Sequence, residues 1–427
     1  MRASQFVRSL SLLSVGLAST SLLTFAFFAL SSSTLTGEDY GRVALLWSST
    51  MLVVAIVYRP AEQQLTHRLA RDRAYGFSTA SSRRTAIVLL GISAACVTVA
   101  AQLVHETLRD SLFDGSEVFY VAFVASCLAY AVSYGVRGVL AGTGRYAAYA
   151  AHLTLEATVR LLFAVAVAVG IARGASVVGT GIAAAPAIST LAVALAVALR
   201  TRARVSSGPG EGGREPSRAG TPVAFYAVAV GEQLLLSAAV LFAQIRTSDP
   251  VAAGVVFNLL LLVRAPLALF LAVQISLLPH FTALVACGAT REIRRVTLGV
   301  LAASLAGAAA YAVLLGLAGP QLTELVFGAT DYEPLGLAFI AIGLGLHLVA
   351  GALTQLLLAA GRGRAVVLAW SLPVGCCVGW LAVSGSTDLV AQAQTTYVAT
   401  AAAVTLILAW WAAGLLGRHR PASRSAG

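Results

Sequence analysis

Three polar residues spaced four apart interrupt one of the apolar runs of this chain: His152, Glu156 and Arg160. On a helix each step of four turns the chain by only about 40°, so the three share one stripe. Glu preceding Arg by four is also the favourable order for a side-chain pair. A charge at the centre of a membrane helix costs about 2.5–3.5 kcal/mol on insertion scales, so such groups face a partner or a cavity. Two chemistries are open for this stripe. The pair can neutralise itself and join its helix to its neighbours, or Arg160 can exchange its carboxylate for a substrate anion. A later run holds Arg264, followed at once by Pro266, which removes a backbone hydrogen bond and kinks a helix. The run before it holds Glu232, unpaired along its own helix, with Gln233, Ser237 and Gln244 on a separate face. Glu232 is either a protonatable coupling group or the partner of Arg264. Arg137 lies near the end of another run, where its long side chain can snorkel to water.

Within the runs, three Arg stand against two Glu. That balance suits an anionic ligand better than an organic cation. Arg is the residue for bidentate phosphate recognition, which makes a pyrophosphate-bearing lipid a reasonable ligand. Arg160, Arg264 and Arg137 are therefore the candidate anion-binding residues. Glu156, Glu232 and His152 are the candidate coupling or charge-partner residues.

The elements that must position these groups are membrane helices. Of the 427 residues, 58% are hydrophobic and 11% charged, with a mean hydropathy of +0.84. A soluble domain carries roughly 25% charged residues. In hydrocarbon every backbone polar group must bond internally, which leaves helices and closed barrels. Barrel strands alternate in polarity over about ten residues. The runs here are continuous and helix-length instead. They predict twelve spans near 10–31, 40–58, 85–105, 118–140, 148–170 and 177–199, then 223–245, 252–277, 296–318, 335–358, 365–384 and 393–416. The first run follows Arg2 and Arg8 but is too long for a signal peptide, so it is read as a retained helix.

Arginine placement orients these spans. With the N-terminus in the cytoplasm, the inner segments hold twenty-two Arg and the outer segments four. Both termini are then expected inside a cytoplasmic, inner-type membrane. Residues 200–221, rich in Gly, Pro, Ser and charge, read as a cytoplasmic linker. The expected organisation is a six-helix lobe over 1–199, the linker over 200–221, a second six-helix lobe over 222–417, and a cytoplasmic tail over 418–427. An internal repeat is suggested by RGVLAGTGR (137–145) and TQLLLAAGR (354–362), each closing a span on a Gly-Arg turn.

Several function classes are excluded or disfavoured. All 29 basic residues are Arg. Without Lys there is no Walker-type phosphate loop and no Schiff-base chemistry. The five Cys (Cys96, Cys127, Cys287, Cys376, Cys377) lack metal-ligand spacing and read as buried, unreactive thiols. The outer loops are short, the longest near 106–117 and 319–334, which argues against a polymerase or ligase with an outer catalytic loop. No enzyme activity, cofactor, metal or nucleic-acid partner is expected.

Three segments carry a resemblance: EDYGRVALLW (38–47), RGVLAGTGRY (137–146) and RAPLALFLAVQISLLP (264–279). With the six-plus-six layout, they resemble the oligosaccharide-lipid flippases of the multidrug/oligosaccharidyl-lipid/polysaccharide exporter superfamily. The resemblance implies an all-α membrane protein of about twelve transmembrane helices, in two six-helix lobes around a central cavity. It implies alternating access and export of a polyprenyl-(pyro)phosphate-linked oligosaccharide for cell-surface polysaccharide synthesis. Partners would be that lipid-linked glycan, the bilayer, and glycosyltransferases or a polymerase of the same pathway. The chain departs from lipid II flippases, which typically have fourteen spans. It also lacks the first-helix acid of many drug exporters of the superfamily. The alternatives are a drug or metabolite exporter of the same fold, and a non-transporting scaffold of a glycan-assembly complex.

Overall fold

A computed structural model of the chain describes residues 3–74, 79–202, 222–328 and 332–416. Among the described residues every regular element is a helix. The first half comprises α1 (Ala3–Thr34), α2 (Gly37–Val53), α3 (Arg59–Ala74), α4 (Thr79–Leu103), α5 (His105–Phe113), α6 (Glu117–Gly142), α7 (Tyr146–Ala168) and α8 (Ala175–Arg202). The second comprises α9 (Pro222–Thr247), α10 (Pro250–Ala286), α11 (Thr290–Phe327), α12 (Pro334–Ala359), α13 (Gly363–Val383) and α14 (Leu389–Leu416). Eleven described helical stretches are long and apolar enough to cross a bilayer, and Pro250–Arg264 of α10 is a shorter apolar one. The chain is a multi-pass membrane protein, and about twelve spans fit it. Most of the expected linker, and the tail at 418–427, lie outside the described residues.

Helix ends follow local chemistry. Thr36 accepts from the Asp39 amide at 3.2 Å, and Glu38 and Asp39 sit in the first turn of α2, where acids favour a helix N-terminus. Asp249 accepts from the Val251 amide at 2.8 Å, with Pro250 opening α10. Gly144 and Gly361 adopt φ of 69° and 72°, a region open to glycine, and end α6 and α12. The bonding around them matches. The Arg145 amide donates to Leu140 O at 2.8 Å, and the Arg362 amide donates to Leu357 O at 2.8 Å. The two Gly-Arg segments singled out as a repeat thus fold into the same turn.

The second span differs from its expected end at residue 58. A π-helical turn over Val54–Tyr58 links α2 directly to α3, so the helix runs on past Arg59. That extension buries Glu62, whose carboxylate accepts from Tyr149 Oη at 3.0 Å. The outer segment near 106–117 forms the short helix α5, which buries Leu112 and Phe113. Helices α8 and α13 continue through Pro186 and Pro373. Of the cysteines, only Cys127 and Cys377 are buried; Cys96, Cys287 and Cys376 are exposed. The expectation of five buried thiols fails: Cys96 and Cys376 are exposed because apolar runs also supply outward-facing helix positions, whereas Cys287 caps α10 outside the run.

Close helix approach relies on small residues, as dispersion and backbone proximity drive packing in lipid. A Cβ on Gly16 of α1 would stand 2.5 Å from Ala150 Cβ of α7. At the end of the bundle away from the linker, here the far end, a Cβ on Gly41 would lie 1.8 Å from the Pro250 carbonyl oxygen. One hydrophobic core joins both halves at this end, including Phe28, Tyr40, Phe257 and Leu337. Toward the linker end, separate clusters form in each half. One gathers Leu356, Trp370 and Leu408, and the other Val54, Tyr58 and Tyr130.

Candidate functional site

The stripe on α7 is buried inside the first half. Arg160 is 2% exposed and Glu156 5%. Glu156 Oε1 accepts from Arg160 at 3.1 Å and from Tyr130 Oη at 3.0 Å, and Oε2 accepts from Arg137. Arg137 and Tyr130 come from α6, seven residues apart on one helical face. Arg137 therefore does not snorkel; α3 packs over its end of α6 and Glu156 draws the guanidinium inward. The Arg160 guanidinium lies 4.3 Å from the centre of the Trp47 ring of α2 and 5.9 Å from that of Phe27 of α1. Aromatic faces attract a desolvated cation, and this stacking fixes the guanidinium plane. His152 shares the stripe but turns to α8, its Nε2 3.1 Å from Thr190 Oγ1.

The ion-paired trio holds two guanidinium groups against one carboxylate. Both oxygens of Glu156 are engaged, yet Arg137 Nε and Arg160 Nε are buried without an acceptor. The buried Glu62 carboxylate also bears on Arg137, so the free Nε donors, not a net charge, are what an anion could meet here. The sequence-level pairing of Glu156 with Arg160 is present, and Arg137 joins it as a second cation. Sequence reasoning missed Tyr130, Trp47 and Glu62. Tyr130 was detectable as the residue seven before Arg137, and Glu62 was hidden by ending the second span too early.

Arg264 takes another arrangement. Its Nη2 donates to Leu236 O at 2.7 Å and to Ser237 Oγ at 3.2 Å, and Gln233 donates to the same hydroxyl at 2.7 Å. Its guanidinium lies 5.2 Å from the Phe257 ring centre. No carboxylate pairs with it among the described residues, and its Nε is buried without an acceptor. The expected Glu232–Arg264 pair is thus absent, because the Gln233–Ser237 face of α9 meets Arg264 instead. Glu232 is partly buried, and the charge that bears on it is Arg59, from the first half. Phe257, on the same face two turns away, packs on Phe28 of α1 at 4.7 Å between ring centres. Arg264 therefore belongs to the face of α10 that meets the first half.

Above Arg264 the far end is closed by contacts between halves. Tyr40 Oη donates to Asn258 Oδ1, and Asn258 donates to Ser32 Oγ at 3.4 Å. Ser32 in turn donates to Phe327 O at 2.8 Å. The second half has its own buried polar cluster. His347 Nδ1 lies 3.1 Å from Tyr397 Oη, and Trp370 Nε1 donates to Thr354 Oγ1 at 3.1 Å. His347, alone in the middle of an apolar run, was legible as an unusual membrane residue and was not singled out.

No protein-family model matches the chain, and no curated protein matches it in sequence. Solved structures do match. An inward-facing multidrug resistance MATE family transporter of the MOP superfamily aligns with 93% of this chain and 94% of its own, at TM-score 0.69 and 13% identity. A MOP superfamily transporter from Pyrococcus furiosus, described as having a binding pocket of reverse polarity, aligns over 96% of this chain and 95% of its own at TM-score 0.63 and 12% identity. The MATE transporter VcmN of Vibrio cholerae aligns over 97% and 99% at TM-score 0.59 and 15% identity. Identities this low carry the fold alone: this chain has the two-lobed helical fold of MATE transporters of the MOP superfamily.

Proposed function

We propose that the chain is an exporter working by alternating access, and that its substrate carries an anionic head group. The observation that supports this most is the set of buried guanidinium groups whose Nε–H donors have no acceptor. Arg137 and Arg160 share one carboxylate, and Arg264 has none among the described residues. A phosphate or pyrophosphate can take these unpartnered donors. The leading substrate class is a polyprenyl-(pyro)phosphate-linked oligosaccharide, moved across the cytoplasmic membrane with both termini inside. Arg160, Arg264 and Arg137 engage the phosphates. Glu156 holds the two α6 and α7 cations in place until substrate competes for them. Glu232, partly buried and without an ion-pair partner among the described residues, is the candidate coupling group.

The core fused at the far end and divided toward the linker end supports a resting state closed outside and open inside. Rocking the lobes about the Gly41–Pro250 contact exchanges access. Glycosyltransferases or a polymerase of the same pathway are the expected partners. A second reading, export of a drug or metabolite, is favoured by the fold likeness to a multidrug resistance MATE transporter.

A strain lacking the gene tests the two. Accumulation of lipid-linked glycan on the inner leaflet, restored by the wild-type chain and not by Arg264→Ala, is the expected result. Unchanged surface glycan with raised drug sensitivity overturns the first reading in favour of the second.

A further inference from the structure

The first half also contains a cavity of about 770 Å³ that takes no part in the site above. It lies between α4, α6 and α8, with Ile87, Leu90, Leu128, Val132, Val136 and Val193 among its walls. Its lining is apolar except at one end, where Arg83 and Arg145 stand. Helices α4 and α8 each pack on α6 but do not close over it. Two glycines line the cavity. A Cβ on Gly91 would meet nothing within 4 Å, and one on Gly135 would press on Leu90 Cδ1 at 2.9 Å, where α4 leans on α6.

We propose that this groove is a binding site for an anionic phospholipid of the linker-side leaflet, with acyl chains along α6 and its phosphate on Arg83 and Arg145. The length fits. From Leu128 to Leu140, α6 advances about 18 Å, close to the roughly 15 Å of one leaflet's hydrocarbon. The charge fits as well. Both arginines are exposed at the cavity mouth, and neither pairs with a carboxylate among the described residues. The occupant is distinct from the exported substrate because the groove uses another face of α6. Leu128, Val132, Val136 and Val139 line the groove, whereas Tyr130 and Arg137 turn to Glu156. A tail in the groove would have α6 between itself and the Arg137–Glu156–Arg160 trio.

The test is native mass spectrometry of the purified full chain titrated with phosphatidylglycerol, phosphatidylcholine or undecaprenyl phosphate. Phosphatidylglycerol should be retained roughly tenfold better than phosphatidylcholine, from the attraction of two arginines for an anionic head group. Arg83→Gln with Arg145→Gln should remove that preference, and Gly91→Trp, filling the open space, should remove the bound lipid. Equal retention of the two phospholipids by the unmodified chain overturns the proposal without any variant having to fold. So does displacement of phosphatidylglycerol by an equimolar amount of undecaprenyl phosphate, which would assign the groove to the substrate's tail. Retained phosphatidylglycerol with lost export in Arg264→Ala would separate this site from the transport site.

Discussion

Two buried polar positions match between the lobes and carry different chemistry. The turns at Gly144 and Gly361 share their backbone bonding. Counting back from those turns, Tyr130 corresponds to His347 and Arg137 to Thr354. Both pairs are buried. In the first lobe the positions serve an ion-paired trio centred on Glu156. In the second they serve neutral bonds among His347, Tyr397, Thr354 and Trp370. Desolvating an ion costs several kcal/mol and is recovered only by full pairing, whereas a neutral bond exposes far less to loss. At these two positions the same place in the helix buries a charged group in one lobe and a neutral one in the other. The charged version persists in one lobe, where Tyr130, Trp47 and Phe27 surround it.

The largest expected effect tests the charged side of this comparison. Glu156→Gln takes the paired carboxylate from both Arg137 and Arg160, leaving only Glu62 to bear on Arg137, and should destabilise the chain by about 3–5 kcal/mol. Chemical unfolding in detergent reads this directly. A loss near that of a neutral hydrogen bond would mean that the trio is already compensated elsewhere. Next, Arg160→Gln removes a guanidinium assigned to the substrate phosphate, a charge-assisted bond worth about 1.5–3 kcal/mol, while Arg137 still pairs with Glu156. Export should fall at least about tenfold, one factor for each 1.4 kcal/mol. Full export by a folded Arg160→Gln protein would remove Arg160 from the substrate path.

Gly41→Ala addresses the contact where the lobes meet. Its Cβ would collide with the Pro250 carbonyl, and overpacking of this kind costs about 1–3 kcal/mol. The state closed at the far end should lose population. A cysteine placed at Ser32 should then label faster with a membrane-impermeant thiol reagent. Unchanged labelling would show that closure does not depend on that approach. The smallest effect is expected from His347→Phe, which forfeits one neutral bond worth about 1 kcal/mol and should leave export near normal. A large export defect there would break the comparison and move the functional centre into the second lobe.

Much of this was legible without coordinates. The twelve runs, the charge stripe on α7, the pairing of Glu156 with Arg160 and the Gly-Arg turns all follow from local rules. Apolar length, helical period and glycine's access to positive φ act within a few neighbouring residues. Ser237 appeared in the sequence only as a member of a polar face, and Glu62 falls between the predicted spans. Their bonds depend on which face of α9 meets α10, and on a π turn that carries α2 onward into α3.

The sequence by itself determined that this protein is a membrane bundle of about twelve helices with cations in its interior, because hydrocarbon admits few other solutions for such residues. Tertiary structure alone decided which groups those cations meet. Arg137 turned inward to Glu156, and Arg264 was given to Ser237 and a backbone carbonyl instead of Glu232. The reason is geometric: helical period fixes a residue's face, but only the packing of one helix on another says what that face will touch.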